Sequence, residues 1–340
     1  MKRIIVVGGL GQFGRTIAEQ LRRRQLPVQI ASRSATADLQ VDANDAASIR
    51  SALRPGDLVI DAAGPFDVRS TALVEAATDL GCDVIDINDD LRYAEAILRL
   101  ERRIESAGIR VLSSASTVSA VAAAVVQHSG IATPHRVTVC LVPASHHSAN
   151  AGAALSLIRS LGRLVRVLRD GRLQEQIGWR ESRRFQMPAP LGTVNGRLFE
   201  SADVVYLPRI WPTLRDAAMY VDTNIPGVNS LLRLAARWPA ARHFLERHVD
   251  LSTRIARTFG RAAGGVGYEI EDAGGRVARY AVVSDKNSFV TAVAPAVLAA
   301  RAIAEGRFPR RGLVLPDRQV EPPELFAFLQ AAGITICQLS

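Results

Sequence analysis

A glycine-rich loop set between an aliphatic strand and a helix is the feature that most narrows what this chain can become. It reads Val6-Val7-Gly8-Gly9-Leu10-Gly11-Gln12-Phe13-Gly14, in which Gly9, Gly11 and Gly14 satisfy G-x-G-x-x-G. The motif draws its meaning from context. The run Arg3–Val7 before it reads as a strand, and Gln12–Arg23 after it as a helix with Phe13, Ile17 and Leu21 on one face. Gly9 is expected to allow a tight turn, Gly11 to let the backbone approach a pyrophosphate, and Gly14 to let helix and strand pack closely. The opening residues of the helix, Gln12 and Phe13, then lie where amide N–H groups and the positive end of the helix dipole face the phosphates.

Beyond this loop the chain alternates in type. Val28–Ala31 and Leu39–Val41 read as strands, Asp45–Leu53 as a helix, Leu58–Ala62 as a strand and Arg69–Asp79 as a helix. Val84–Ile87 and Ile109–Leu112 are further strands, flanking a helix at Tyr93–Ser106. Such alternation predicts an α/β fold, a Rossmann-type parallel sheet with right-handed crossovers. After Ser113 the pattern changes. Thr117–His128, Gly152–Leu168 and 228–260 read as helical, Arg136–Leu141 as a strand, and Val266–Glu271 and Val277–Val283 as a hairpin closed by Asp272-Ala-Gly-Gly. The stretch from Gly171 to Pro226 is broken up by Pro, Gly and Trp, whereas Val290–Ala304 and Pro322–Ala331 again read as helices. A length of 340 residues fits about two domains, here the Rossmann-type domain and a second α+β substrate domain.

The end of the second strand bears on the choice of dinucleotide. An NAD site commonly places an acid there for the ribose hydroxyls, but this chain has Ala31-Ser32-Arg33-Ser34 and no acid before Asp38. Arg33 can bond a 2′-phosphate and stack on adenine while Ser32 and Ser34 donate to it, so NADP is expected in preference to NAD. Asp42, ending the third strand, can accept from the adenine amino group or simply open a turn. Asp61-Ala62-Ala63-Gly64-Pro65-Phe66 ends the fourth, and the small residues Ala62, Ala63 and Gly64 would let ribose and nicotinamide pass close to the backbone.

Composition excludes several classes. Hydrophobic residues make up 48% and charged residues 22%, as in an ordinary globular protein. The longest apolar runs fall short of the roughly 20 residues of a membrane span, and no secretory leader is read at the start, so a cytoplasmic protein is expected. Three cysteines, Cys82, Cys140 and Cys337, lack metal-ligand spacing, and no metal site is expected. The net charge of +9 rests on arginine, since Lys2 and Lys286 are the only lysines. Residues 159–184 hold eight Arg against three acids and 209–261 nine against four, without a nucleic-acid motif. The partner expected is an anionic small-molecule substrate, not nucleic acid. A homodimer through the substrate domain remains open.

Together these residues resemble the saccharopine dehydrogenase-like oxidoreductase family. The resemblance is carried by the glycine loop, Ala31-Ser-Arg-Ser34, Val41-Asp42, Asp61-Ala-Ala-Gly-Pro-Phe66 and Cys82-Asp-Val-Ile-Asp-Ile87, with weaker echoes at Thr291-Ala292, Gly312-Leu-Val-Leu-Pro316 and Leu329-Gln-Ala-Ala-Gly-Ile334. It implies a discontinuous dinucleotide domain, 1–120 with 286–340 returning to pack on it, and a substrate domain at 121–285. It also implies hydride transfer to or from a C–N, carbonyl or enoyl group. After the sixth strand the amino-acid-processing branch tends to a Gly- and Pro-rich turn, whereas this chain has Ser113-Ser-Ala-Ser-Thr-Val-Ser119, which argues against saccharopine itself as substrate.

With the hard chemistry on the cofactor, a proton donor and orienting groups are what the chain must add. His146 and His147, in Pro143-Ala-Ser-His-His-Ser148, offer a proton relay or a carboxylate contact, or form a surface loop. Lys286 orients a substrate or pairs with Asp285. Asn88, Asp89 and Asp90 end the fifth strand, at the border of the expected cleft or as helix caps. No Tyr stands four residues before either lysine, which disfavours short-chain dehydrogenase chemistry. Two other readings remain: a non-catalytic NADP-sensing module, and a reductase taking a lipid-like substrate at a membrane surface, suggested by the Trp- and Arg-bearing helices of 209–261.

Overall fold

The computed structural model describes residues 2–286 and 289–339, which divide into two compact units: 1–124 with 289–325, and 125–288 with 326–340.

The first unit begins with β1 (Ile4–Val7), α1 (Gln12–Arg22), β2 (Val28–Ser32), β3 (Leu39–Gln40), α2 (Ala46–Ala52), β4 (Leu58–Asp61), α3 (Ala72–Leu80) and β5 (Asp83–Asp86). It continues through α4 (Leu91–Arg99), α5 (Glu101–Ala107) and β6 (Arg110–Leu112). The strands pair in parallel in the order β6-β5-β4-β1-β2-β3. Every residue of β1, β4 and β5 is buried, as expected of strands covered on both faces, and this explains their unbroken aliphatic runs. α1 buries Gly14, Ile17, Ala18 and Leu21. The single helix expected at Tyr93–Ser106 is two, meeting at Leu100. Asp90 opens the first of them, its carboxylate accepting from the Tyr93 amide at 2.9 Å. At 117–121 the expected helix starts as a π-helical turn, with the Val121 N–H donating to the Ser116 carbonyl, before α6 (Ala122–His128).

The second unit is built on a nine-stranded mixed sheet. Its strands are β7 (Pro134–Val142), β8 (Leu164–Arg169), β9 (Arg172–Ile177), β10 (Ser182–Gln186), β11 (Thr193–Phe199), β12 (Asp216–Val221), β13 (Gly264–Asp272) and β14 (Val277–Ser284), completed by a strand from the C-terminal tail. The β13–β14 hairpin lies where Asp272-Ala-Gly-Gly predicts it. Around the sheet run α7 (Ser145–Ser148), α8 (Ala151–Ser160), α9 (Asp203–Ile210), α10 (Val228–Ala235), α11 (Pro239–Arg247) and α12 (Val249–Phe259).

The tail divides between the units. α13 (Phe289–Ala304) and β15 (Gly312–Val314) belong to the first, where β15 extends the parallel sheet beyond β6 and makes it seven-stranded. After α14 (Pro322–Ala331), β16 (Thr335–Leu339) pairs antiparallel with β14 in the second unit. The expectation that all of 286–340 returns to the dinucleotide domain is thus corrected: the return ends at Leu325. The physical reason lies in β16, whose Cys337 and Leu339 pack on the core formed by Val142, Ala281 and Val283. Among the described residues no helix is long and apolar enough to cross a membrane.

Candidate dinucleotide-binding site

The register of the parallel sheet assembles the site. Val7 of β1 stands opposite Ala31 of β2 and opposite Asp61 of β4. Three loops therefore leave the sheet at one level: the glycine loop, Ser32–Ser34 and Ala62–Pro65. They lie at the point where strand order reverses on either side of β1, the place where open α/β sheets bind ligands. Between them is a cavity of about 540 Å³, lined among others by Gly8, Gly11, Ser32, Arg33, Ser34, Asp42, Asn44, Ala62, Ala63, Gly64 and Arg69.

Each expected cofactor residue can be placed. Gly11, Ser32, Arg33, Ser34, Asp42, Ala62, Ala63 and Gly64 all line the cavity, whereas Gly9, Gln12, Phe13 and Gly14 do not. Gly14 acts by packing: a Cβ there would come within 2.4 Å of the Gly8 carbonyl oxygen. Gly9 likewise packs on Ile30, and its amide donates to the Ala31 carbonyl at 3.1 Å. The tight turn belongs to Gly8, which has φ +75° and would carry a Cβ within 2.6 Å of Ala63 Cα. Phe13 packs edge-on against Phe289, with ring centroids 5.0 Å apart. Gly11 is the N-cap of α1, and the first bond of the helix ladder runs from the Arg15 amide to Gly11 O, the kind of helix start at which anions bind.

The polar wall is equally ordered. The Ser34 amide donates to Ser32 Oγ at 3.0 Å, Ser34 Oγ meets Thr36 Oγ1 at 2.8 Å, and the Arg33 carbonyl is held by Gln40 Nε2 at 3.1 Å. The Arg33 guanidinium is exposed on the cavity, with no ion-pair partner among the described residues. Asp38, the nearest acid after β2, accepts from the Ile30 amide at 2.7 Å. One oxygen of Asp42 accepts from the Asn44 amide at 2.9 Å.

Sequence reasoning misses Arg69. Its guanidinium, with the side chain 5% exposed, donates to the Asp61 carboxylate at 2.9 Å, to Asn44 Oδ1 at 3.2 Å, and to the carbonyls of Ala43 and Ala63. Asp61 is completely buried and also accepts from the Ala63 amide. One ion pair thus ties the end of β4 to the loop after β3, so that two walls of the cavity share one anchor. The sequence reads Arg69 only as the start of a helix, Arg69–Asp79, but α3 begins at Ala72 and Arg69 lies in the loop before it.

Beside β4, Asp86 ends β5 fully buried. One oxygen accepts from the amides of Ser114 at 2.8 Å and Asn88 at 3.1 Å. Burial pushes its carboxyl up to about 7, against the pull of the Ser114 amide, the Ser113 side chain and the Asn88 amide. Asn88 is itself buried, its Oδ1 taking the Asp90 amide and its Nδ2 reaching Ser114 Oγ, which makes it part of the same loop frame. Asp89 is exposed. The sign of the linkage is definite. A carboxyl whose folded pKa lies above its unfolded value contributes stability in full below about pH 4, and loses it as the pH rises to about 7. Asp86→Asn keeps an acceptor for both amides and removes the charge. The variant is expected to gain thermal stability over the native chain at pH 8, and the gain is expected to vanish near pH 4. Melting curves across that range check it, and an equal offset at both ends would count against the assignment.

His146 and His147 lie in α7 of the second unit, exposed and edge-to-face at 4.7 Å, with the His146 amide donating to the Arg261 carbonyl. Lys286 of the same unit is exposed, and the next residues of its motif, 287–288, lie outside the described residues. None of the three lines the cavity. No group of three or more His, Cys, Asp or Glu among the described residues could hold a metal ion.

A glycine-cradled cavity at the switch point of a parallel sheet defines a Rossmann-type dinucleotide-binding domain. Residues 4–112, about a third of the chain, match the model of the saccharopine dehydrogenase NADP binding domain. The whole-chain fold agrees. Saccharopine dehydrogenase (L-Glu forming) from Saccharomyces cerevisiae superposes with a TM-score of 0.66 over 100% of both chains, at 13% identity. An oxidoreductase from Thermotoga maritima covers 97% of this chain and 95% of its own at 13% identity, with a TM-score of only 0.39. No curated protein matches the sequence. A domain that matches this NADP binding model, carried on this two-sheet fold, places the chain among the NAD(P)-dependent oxidoreductases.

Proposed function

We propose that the chain is an NADP-preferring oxidoreductase that moves a hydride between the nicotinamide and a C–N, carbonyl or enoyl carbon of an anionic small molecule. The observation that carries the cofactor choice is Arg33: an unpaired guanidinium on the cavity wall, at a strand end whose nearest acid is turned back onto the Ile30 amide. A 2′-phosphate would give Arg33 the counter-charge it lacks, and Ser32 and Ser34 stand beside it. The cofactor when bound supplies the hydride. The chain's own part here is to hold phosphates at Gly11 and Arg33 and to keep Ala62–Gly64 clear for ribose and nicotinamide.

An anionic substrate is supported by Arg197 on β11 in the second unit, which we read as the substrate domain. It is 5% exposed, its Nε has no hydrogen-bond partner, and no carboxylate among the described residues lies within ion-pair distance. Burial and the neighbouring Arg233 disfavour its charge, Asp222 offsets this only from beyond ion-pair distance, and a carboxylate or phosphate would offset the rest.

The test is a fluorescence titration with NADPH and NADH on the native chain and on Arg33→Ala. Losing charge-assisted bonds to a phosphate is expected to weaken NADPH binding roughly ten- to a hundredfold and to leave NADH nearly unchanged. Equal weakening of both nucleotides, or none, would refute the assigned role of Arg33.

A further inference from the structure

The helices α10, α11 and α12 of the second unit pack Leu232, Val228, Leu245 and Val249 on a core around Trp179, yet turn most of their large apolar side chains outward. Leu231, Leu234, Trp238, Phe244, Leu251, Ile255 and Phe259 are all exposed, Leu231 by 62% and Phe259 by 66%. Leu251, Ile255 and Phe259 stand at i, i+4 and i+8 and form one stripe along α12, while the buried residue of that helix is Thr253. α11 buries no residue at all. A concentration of exposed apolar side chains on one set of helices marks an interaction surface.

Charge says what covers it. Residues 228–260 carry six arginines against two acids, Glu246 and Asp250. Arg233, Arg237, Arg247 and Arg254 are exposed and have no carboxylate within ion-pair distance among the described residues. Two copies of this face brought together would set arginine against arginine, which disfavours self-association. Exposed Leu, Ile, Phe and Trp among unpaired arginines form the pattern of helices lying in a lipid interface, with apolar side chains entering the acyl boundary and cations meeting anionic headgroups. We propose that α10–α12 dock the protein on an anionic phospholipid surface. None of these side chains lines the dinucleotide cavity, which belongs to the first unit.

Sedimentation with phosphatidylglycerol-containing vesicles tests it, with pure phosphatidylcholine vesicles as reference and with the full chain. Expected are pelleting with the anionic vesicles only, loss of binding as salt is raised, and a blue shift of tryptophan emission on binding. The triple variant Leu251→Ser, Ile255→Ser, Phe259→Ser is expected to bind at least roughly tenfold more weakly. Since these side chains are exposed, its melting temperature and NADPH titration should match the native chain, which separates lost docking from lost folding. No binding to anionic vesicles, equal binding to both lipids, or a native dimer that the triple variant dissociates would each overturn the proposal.

Discussion

Gly8→Ala is expected to weaken dinucleotide binding severely while Gly56→Ala leaves it intact. Both glycines have positive φ, +75° and +85°, so a side chain costs about 1–2 kcal/mol of left-handed strain at either place. They differ in what a Cβ would meet. At Gly56 nothing lies within 4 Å, whereas at Gly8 the new atom falls 2.6 Å from Ala63 Cα and 2.7 Å from the Ala62 carbonyl carbon and oxygen. Those are backbone atoms of the facing cavity wall and cannot rotate away. Relief requires moving the glycine loop, whose Gly8 carbonyl accepts the Gly11 amide at 2.9 Å and abuts Gly14. Overpacking of this kind adds about 1–3 kcal/mol, so affinity for NADPH should fall by about thirtyfold or more. Parallel titration of the two variants checks it. If Gly8→Ala bound NADPH like the native chain, the glycine loop would not be the phosphate cradle.

How much the sequence discloses depends on how local each signal is. β1, β4 and β5 announce themselves as aliphatic runs because both faces of a parallel sheet are covered, and the glycine loop is legible because strand and helix flank it. The division of labour among the glycines is less legible. The motif assigns the tight turn to Gly9, yet the positive φ belongs to Gly8, a distinction made by the approach of Ala62–Ala63 from another strand. β9 and β10 escape notice because their residues, Arg172–Ile177 and Ser182–Gln186, are largely exposed and present no apolar face to give a period. In α12 the spacing of Leu251, Ile255 and Phe259 is that of a helix, but spacing alone cannot say that the stripe faces outward. The tail shows the same limit. β16 reaches the second unit through pairing with β14, some fifty residues away in sequence, and nothing local encodes that choice.

Arg69 is the extreme case of a residue invisible in sequence and central in space, and its removal is expected to give the largest loss of stability. Arg69→Ala would leave Asp61, which has no exposed surface, as a buried carboxylate holding only the Ala63 amide. Breaking a buried pair from one side costs about 3–5 kcal/mol, because the remaining charge is uncompensated. For a unit of this size that lowers the melting temperature by about 10 °C or more. Arg69→Lys should recover little, since an ammonium cannot reproduce the planar fork that meets Asp61 while also reaching Asn44 and two carbonyls. Asp61→Asn in the Arg69→Ala background removes the stranded charge and should restore part of the loss. That coupling is what distinguishes an ion-pair staple from mere packing of the Arg69 guanidinium over the Phe66 ring. Because the same guanidinium holds Asn44 and Ala63 on the cavity wall, NADPH affinity should fall in Arg69→Ala at temperatures where the protein is still folded. Calorimetric melts and titrations of these three variants and of Asp61→Asn alone decide the matter. A single variant as stable as the native chain, or additive effects in the double, would show that Arg69 does not anchor the site.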